Sequence, residues 1–127
     1  MLIPSAEIWD LHTHLSGVSG RTPDERMAKL LEFAERMGIA KQVVFMGLEF
    51  AFEPTPEKFR QENDEVLQAM SHYHDRAFGF VYLNPKFTQE SLEEFDRCVA
   101  NGPMVGIKLW VAEHCNAASL DPIVARA

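Results

Sequence analysis

Apolar and polar positions alternate along this chain in two periods that take turns. Ile8, Trp9 and Leu11 lie in a short apolar stretch with strand character, which the pattern places over Glu7 to His12. Thr22-Pro23-Asp24-Glu25 then carries a helix start: Thr22 as cap, Pro23 in the first helical position, Glu25 completing a capping box. Met27, Leu30, Leu31, Ala34 and Met37 follow at helical spacing, and Gly38 suits the left-handed residue that ends a helix. Gln42-Val43-Val44-Phe45-Met46 is a continuous apolar run, the signature of a strand covered on both faces. A longer loop covers Gly47 to Pro54, and Thr55-Pro56-Glu57 repeats the helix start for a segment ending near Ser71. Phe78 to Leu83 predicts a third buried strand, stopped by Asn84-Pro85. Thr88 is the expected cap of a third helix reaching Asn101-Gly102. A fourth strand follows over Val105 to Val111, and a fourth helix starts at Ser119-Leu120-Asp121-Pro122.

This βαβαβαβα series has no linker or change of composition within it. Each strand–helix unit takes the length of a βα repeat in a parallel sheet. The fold class is α/β, of the (β/α)8 TIM-barrel type, with an open doubly wound sheet as the other arrangement such repeats allow. A whole barrel takes about 250 residues. Residues 1–127 therefore read as one unit, the N-terminal half of a single barrel with four of its βα repeats.

Both fold types bind ligands at the carboxyl ends of their strands, which gives each polar residue a positional test. His12 and His14 sit at that end of the first strand. Alternate strand residues share a face, so the two imidazoles converge, with Asp10 expected behind them on the same side as an orienting group. Two neutral imidazoles suit a divalent transition metal, and zinc, manganese and iron all accept them. Lys108 interrupts the apolar run of the fourth strand and is expected to face the barrel interior beside Gly106 and Trp110. There it could bind a substrate carboxylate or phosphate, bridge metals as a carboxylated lysine, or form a structural ion pair. Arg21 in the first βα loop, Asn84 ending the third strand and His114 after the fourth are candidate substrate contacts on the same rim. His72 and His74 share the His-x-His spacing but precede the third strand, on the face where stability and not catalysis is expected. Trp9, Phe80 and Tyr82 read as core.

Composition narrows the partners. The net charge of −7 argues against nucleic acid and anionic membranes, both of which need clustered Lys and Arg. No apolar run approaches the roughly 18–20 residues of a membrane span. The first residues lack the basic and apolar regions of a signal peptide, so a cytoplasmic setting is expected. Cys98 and Cys115 form no CxxC and read as free thiols. No glycine-rich phosphate loop and no Gly-x-Ser-x-Gly elbow is present.

Asp10-Leu11-His12-Thr13-His14 resembles the first-strand signature of the amidohydrolase superfamily of metal-dependent hydrolases. Asn63-Asp64-Glu65-Val66, Phe78-Gly79-Phe80-Val81 through Asn84-Pro85, and Gly106-Ile107-Lys108-Leu109 are similar to the amidohydrolase-related branch that includes decarboxylases and lactonases. The resemblance spans essentially the whole chain. It implies a (β/α)8 barrel with one or two divalent metals at its mouth, zinc foremost. His12 and His14 match the first two ligands. The family's remaining ligands, histidines after the fifth and sixth strands and an aspartate after the eighth, have no counterpart here. The implied activity is hydrolysis or decarboxylation of a small carboxylate-bearing molecule at a C–N, C–O or C–C bond, with Lys108 and Asp10 assisting. The parent protein is expected to be a homo-oligomer and this part of it inactive alone. Three alternatives stand beside this reading. A PHP-type phosphoesterase shares the Asp-Leu-His-x-His opening but would show Thr-Asp-His where this chain has Met46-Gly47-Leu48. The others are a non-catalytic half-barrel module that self-associates and a metal-independent lactonase.

Overall fold

The computed structural model describes residues 6–109 and 113–127. Four strands alternate with four helices: β1 Trp9–Thr13, α1 Pro23–Met37, β2 Lys41–Val44, α2 Pro56–Met70, β3 Ala77–Leu83, α3 Thr88–Phe95, β4 Gly106–Leu109 and α4 Asp121–Arg126. All strand pairs are parallel and the sheet order is β1-β2-β3-β4, so each strand lies beside its predecessor. The result is a curled half-barrel of four βα units, as the alternating periods predict. Trp110 and Val111 lie outside the described residues.

Local signals account for most element ends. Thr22 Oγ1 accepts from the Glu25 N–H at 3.2 Å, and Gly38 closes α1 with φ 72°. The Glu25 carboxylate reaches back one residue further than a capping box requires, to the Arg21 N–H at 2.7 Å. Thr55 caps α2 in the same way, through the Lys58 N–H. Thr88 does not cap α3 as expected. It is the first helical residue, and its hydroxyl donates to the Pro85 carbonyl at 3.3 Å. The preceding Asn84-Pro85 turn draws that hydroxyl away from the helix. The last turn after α3, Asp96–Ala100, is π-helical.

Two apolar layers sandwich the sheet. Val44, Ala77, Val81 and Leu83 pack with Met27, Leu31, Val66, Met70, Phe95 and Cys98 from the helices. The opposite face carries Val43, Phe45 and Tyr82, with Phe78 and Phe80 against them, and extends to Met46, Phe50 and Phe59 at the rim. This second layer is the concave side. Gly106 belongs to it, because a Cβ there would stand 2.5 Å from the Phe80 ring. Phe80 lies over β4 only because that position has no side chain. Trp9 is not core: it is 45% exposed, stacked on Phe78 at 5.3 Å, with the Lys41 ammonium 4.6 Å from its ring. Tyr82 is fully buried and Phe80 half-buried.

Candidate metal centre at the end of the first strand

The histidines reach the concave face through a break in β1. Asp10 pairs with Gln42 and Thr13 with Val44, so three steps on β1 match two on β2. This bulge inserts one residue and shifts the alternation. The expectation that Asp10 stands on the histidine side is therefore corrected. Asp10 shares a register position with Gln42, and its Oδ1 accepts the His12 backbone N–H at 3.0 Å. It orients the main chain of the bulge and not an imidazole. The Thr13 hydroxyl donates to the Val43 carbonyl at 2.8 Å, which ties the far side of the bulge to β2.

His12 and His14 then stand with ring centroids 5.1 Å apart at 70°. Both present themselves to one ring. Phe45 lies 5.0 Å from His12 and 4.7 Å from His14, edge to face in each case. The Lys108 ammonium sits 4.9 Å from the centroid of the same ring. Phe80 stacks behind it at 6.1 Å and 14°. The structure thus brings His12, His14 and Lys108 together around Phe45. Sequence reasoning assigned Phe45 to a buried strand and gave it no place in the site. Its role depends on the register between β1 and β2, which no motif reports.

The electrostatics favour neutral imidazole at His14. Burial lowers its pKa first, then the proximity of His12; the Phe45 carbonyl opposes this, and the Lys108 cation lowers it further. His14 Nδ1 is buried with no hydrogen-bond partner. A buried nitrogen without a partner costs free energy unless something occupies it. A neutral imidazole with an unengaged nitrogen, beside a second imidazole, is a donor set that fits a divalent metal. Among the described residues no group of three or more His, Cys, Asp or Glu side chains forms a fuller ligand cluster.

The other candidates do not join this cluster. Asn84 holds the expected rim position but is 2% exposed. Its Nδ2 donates to the Pro54 carbonyl at 3.0 Å and its Oδ1 accepts from the Lys86 N–H at 3.1 Å. Both ends of the amide hold loops in place. Arg21 and His114 are exposed, and their hydrogen bonds are made by their main chain, to Glu25 and Ala117. His72 is exposed and stands 3.8 Å from Asp24, and His74 is exposed as well. Cys98 is buried and Cys115 exposed, both as free thiols. Arg26 was missed. From α1 its guanidinium donates to the carbonyls of Leu15, Gly20 and Leu48, joining the first and second βα loops.

A protein from Staphylococcus aureus described as an amidohydrolase superposes with a TM-score of 0.74 over 96% of this chain, at 15% identity. The fold is that of a partial (β/α)8 barrel. A 2,6-dihydroxybenzoate decarboxylase from Rhizobium matches with a TM-score of 0.62 over 80% of the chain, at 20% identity. The chain covers 44% and 37% of these two proteins, less than half of either. At such identities the likeness is one of fold. No protein-family model matches the sequence, and no curated protein does either. Among the described residues no helix is long and apolar enough to cross a membrane.

Proposed function

We propose that this amidohydrolase-type half-barrel contributes two metal ligands, His12 and His14, to a metal-dependent hydrolase or decarboxylase of small carboxylate-bearing molecules. The observation that carries the reading is the imidazole pair at the strand end, with an unengaged His14 Nδ1 and the Lys108 ammonium sharing the Phe45 ring. Zinc is the metal of first choice, with manganese and iron as alternatives. When bound, such a metal polarises a carbonyl or carboxylate, or lowers the pKa of a water. The protein's own contribution is positional. Burial, and then the proximity of His12, lower the His14 pKa, which favours the neutral ring that a metal needs. Lys108 places a cation where a substrate carboxylate would lie beside the histidines, and a charge-assisted contact of this kind fixes orientation as well as affinity. Phe45 and Phe80 form an apolar floor that strengthens both effects by excluding water. The reading needs further metal ligands besides His12 and His14. Structural neighbours that include an amidohydrolase and a decarboxylase support the class of chemistry.

Titration of the purified protein with Co2+, followed by its visible absorption, tests the proposal. Bands typical of nitrogen ligation are expected, and their loss in both His12→Ala and His14→Ala. Equal Co2+ binding by those two variants and the parent would end the reading.

A further inference from the structure

The loop from Gly47 to Pro54 is gripped more tightly than a surface connection requires. The Leu48 N–H donates to Glu65 Oε2 at 2.7 Å, and the Leu48 carbonyl accepts from Arg26 Nη1 at 3.1 Å. Ala51 is held in the same two-sided way. Its N–H donates to Glu62 Oε1 at 2.8 Å and its carbonyl accepts from the Tyr82 hydroxyl at 2.7 Å. Glu62 and Tyr82 are both fully buried. Burying a carboxylate and a phenol is costly unless their hydrogen bonds are made, so two such groups spent on one loop fix it at real expense. Between the two gripped residues lies Phe50. Its ring stands 5.7 Å from the His14 ring, tilted at 37°, and meets the Phe52 ring edge to face at 5.8 Å.

We propose that Glu62 and Tyr82, by clamping the main chain of Ala51, hold Phe50 as a fixed wall against the His14 imidazole and so set the orientation of that ring. Phe50 makes the contact; Glu62 and Tyr82 are positioning residues that act through it. The proposal rests on the metal reading only for what His14 binds, because the wall exists whether or not a metal is present. It explains why a buried acid on α2 reaches toward a loop at the mouth of the barrel. It also assigns a role to three residues outside the histidine motif.

Two measurements on metal-free protein test it. One is the NMR position of the His14 ring protons at a pH where the ring is neutral, which carries the ring-current shift of Phe50. The other is the rate of His14 carbethoxylation relative to His72, an exposed histidine of the same molecule. Phe50→Ala defines the signature of a missing wall. Tyr82→Phe removes the donor to the Ala51 carbonyl, and Glu62→Leu removes the acceptor of the Ala51 N–H. Both are expected to move the His14 resonances toward the Phe50→Ala position and to raise its relative reactivity several-fold. Glu62→Gln keeps an acceptor for the Ala51 N–H and should retain the parent spectrum. If Glu62→Leu fails to fold, Tyr82→Phe decides. A folded Tyr82→Phe protein with unmoved His14 signals and unchanged reactivity overturns the clamp. Co2+ titration of the same proteins separates the two ideas. His14 freed by Tyr82→Phe in a protein that binds no Co2+ keeps the clamp and removes the metal reading; Co2+ binding with His14 unmoved does the reverse.

Discussion

Asn63 closes a ring with the backbone of Tyr82: its Oδ1 accepts the Tyr82 N–H at 2.7 Å, and its Nδ2 donates to the Tyr82 carbonyl at 3.0 Å. Pairing between β2 and β3 ends at Val44 and Gly79, and Met46 turns away with φ 69°. Tyr82 is thus left beyond the end of its neighbouring strand. The amide of Asn63, reaching in from α2, takes the place of the missing peptide. Its Nδ2 also donates to Glu94 Oε1 at 3.0 Å. Asn63→Leu should therefore destabilise the protein by about 2–4 kcal/mol, since two buried backbone groups and a carboxylate lose partners. Asn63→Asp should be worse, because it sets a second carboxylate against buried Glu94. Urea midpoints for the two variants would show this ranking, and an Asp variant as stable as the parent would contradict it.

Glu62 gives stability a pH dependence of predictable sign. Burial pushes its carboxyl up from 4.5 to about 7, against the opposing pull of the Ala51 N–H and Lys58. A group that holds its proton more tightly when folded stabilises the fold fully below the unfolded pKa. That stability is lost as pH rises through the folded value. The parent should weaken between pH 4.5 and about 7 by up to about 3 kcal/mol relative to Glu62→Gln, which cannot ionise. Denaturant unfolding of both proteins across that range isolates the contribution, since other groups cancel in the difference. Parallel stability curves would assign the pH dependence elsewhere.

Lys108 acts on His14 as well as on any bound anion. Its positive charge is one of the influences that lower the His14 pKa, after burial and His12. Lys108→Met should raise that pKa, so that the imidazole stays protonated to higher pH. It should also weaken binding of a simple carboxylate such as benzoate by roughly 10-fold or more, the scale of a charged hydrogen bond. NMR titration of the His14 ring, with and without benzoate, reads both effects. An unaltered titration would remove Lys108 from the site.

Gly106 tests the apolar floor. Alanine there places a methyl group 2.5 Å from a Phe80 ring that stacks on Phe45 at 6.1 Å. The ring must move, at a cost of about 1–3 kcal/mol. Because Phe45 carries both histidines and Lys108, Gly106→Ala should perturb His12 and His14 resonances from the opposite side of the site. A lowered melting temperature with undisturbed histidines would show that the floor can yield without transmitting strain.

Features written in adjacent residues were legible in the sequence. Thr22-Pro23 and Gly38 fixed both ends of α1 because caps are satisfied within a turn. The order of strands and helices followed from hydrophobic period, and the placing of His12, His14 and Lys108 at one end of the sheet followed from that order. What depended on register was not legible. The bulge that separates Asp10 from the histidines leaves no mark in composition. Phe45 becomes the centre of the site only once β1 and β2 are aligned. Asn84 stands at the rim as expected but faces Pro54, because a loop 30 residues earlier offers its carbonyl. Glu62 carries no signal in the sequence and Asn63 stands out only as part of a motif, yet they are buried partners of Ala51 and Tyr82.

The irregularity in β1 has a consequence for anyone moving this motif. The spacing Asp10-Leu11-His12-Thr13-His14 suggests a cassette that any straight strand could carry. Grafted into a regular strand, it would bring the aspartate around to the imidazole side and release the amide it now secures. The five residues are portable only together with the extra backbone step that Asp10 and Thr13 bracket, and a faithful transplant has to copy a kink in the main chain before it copies any side chain.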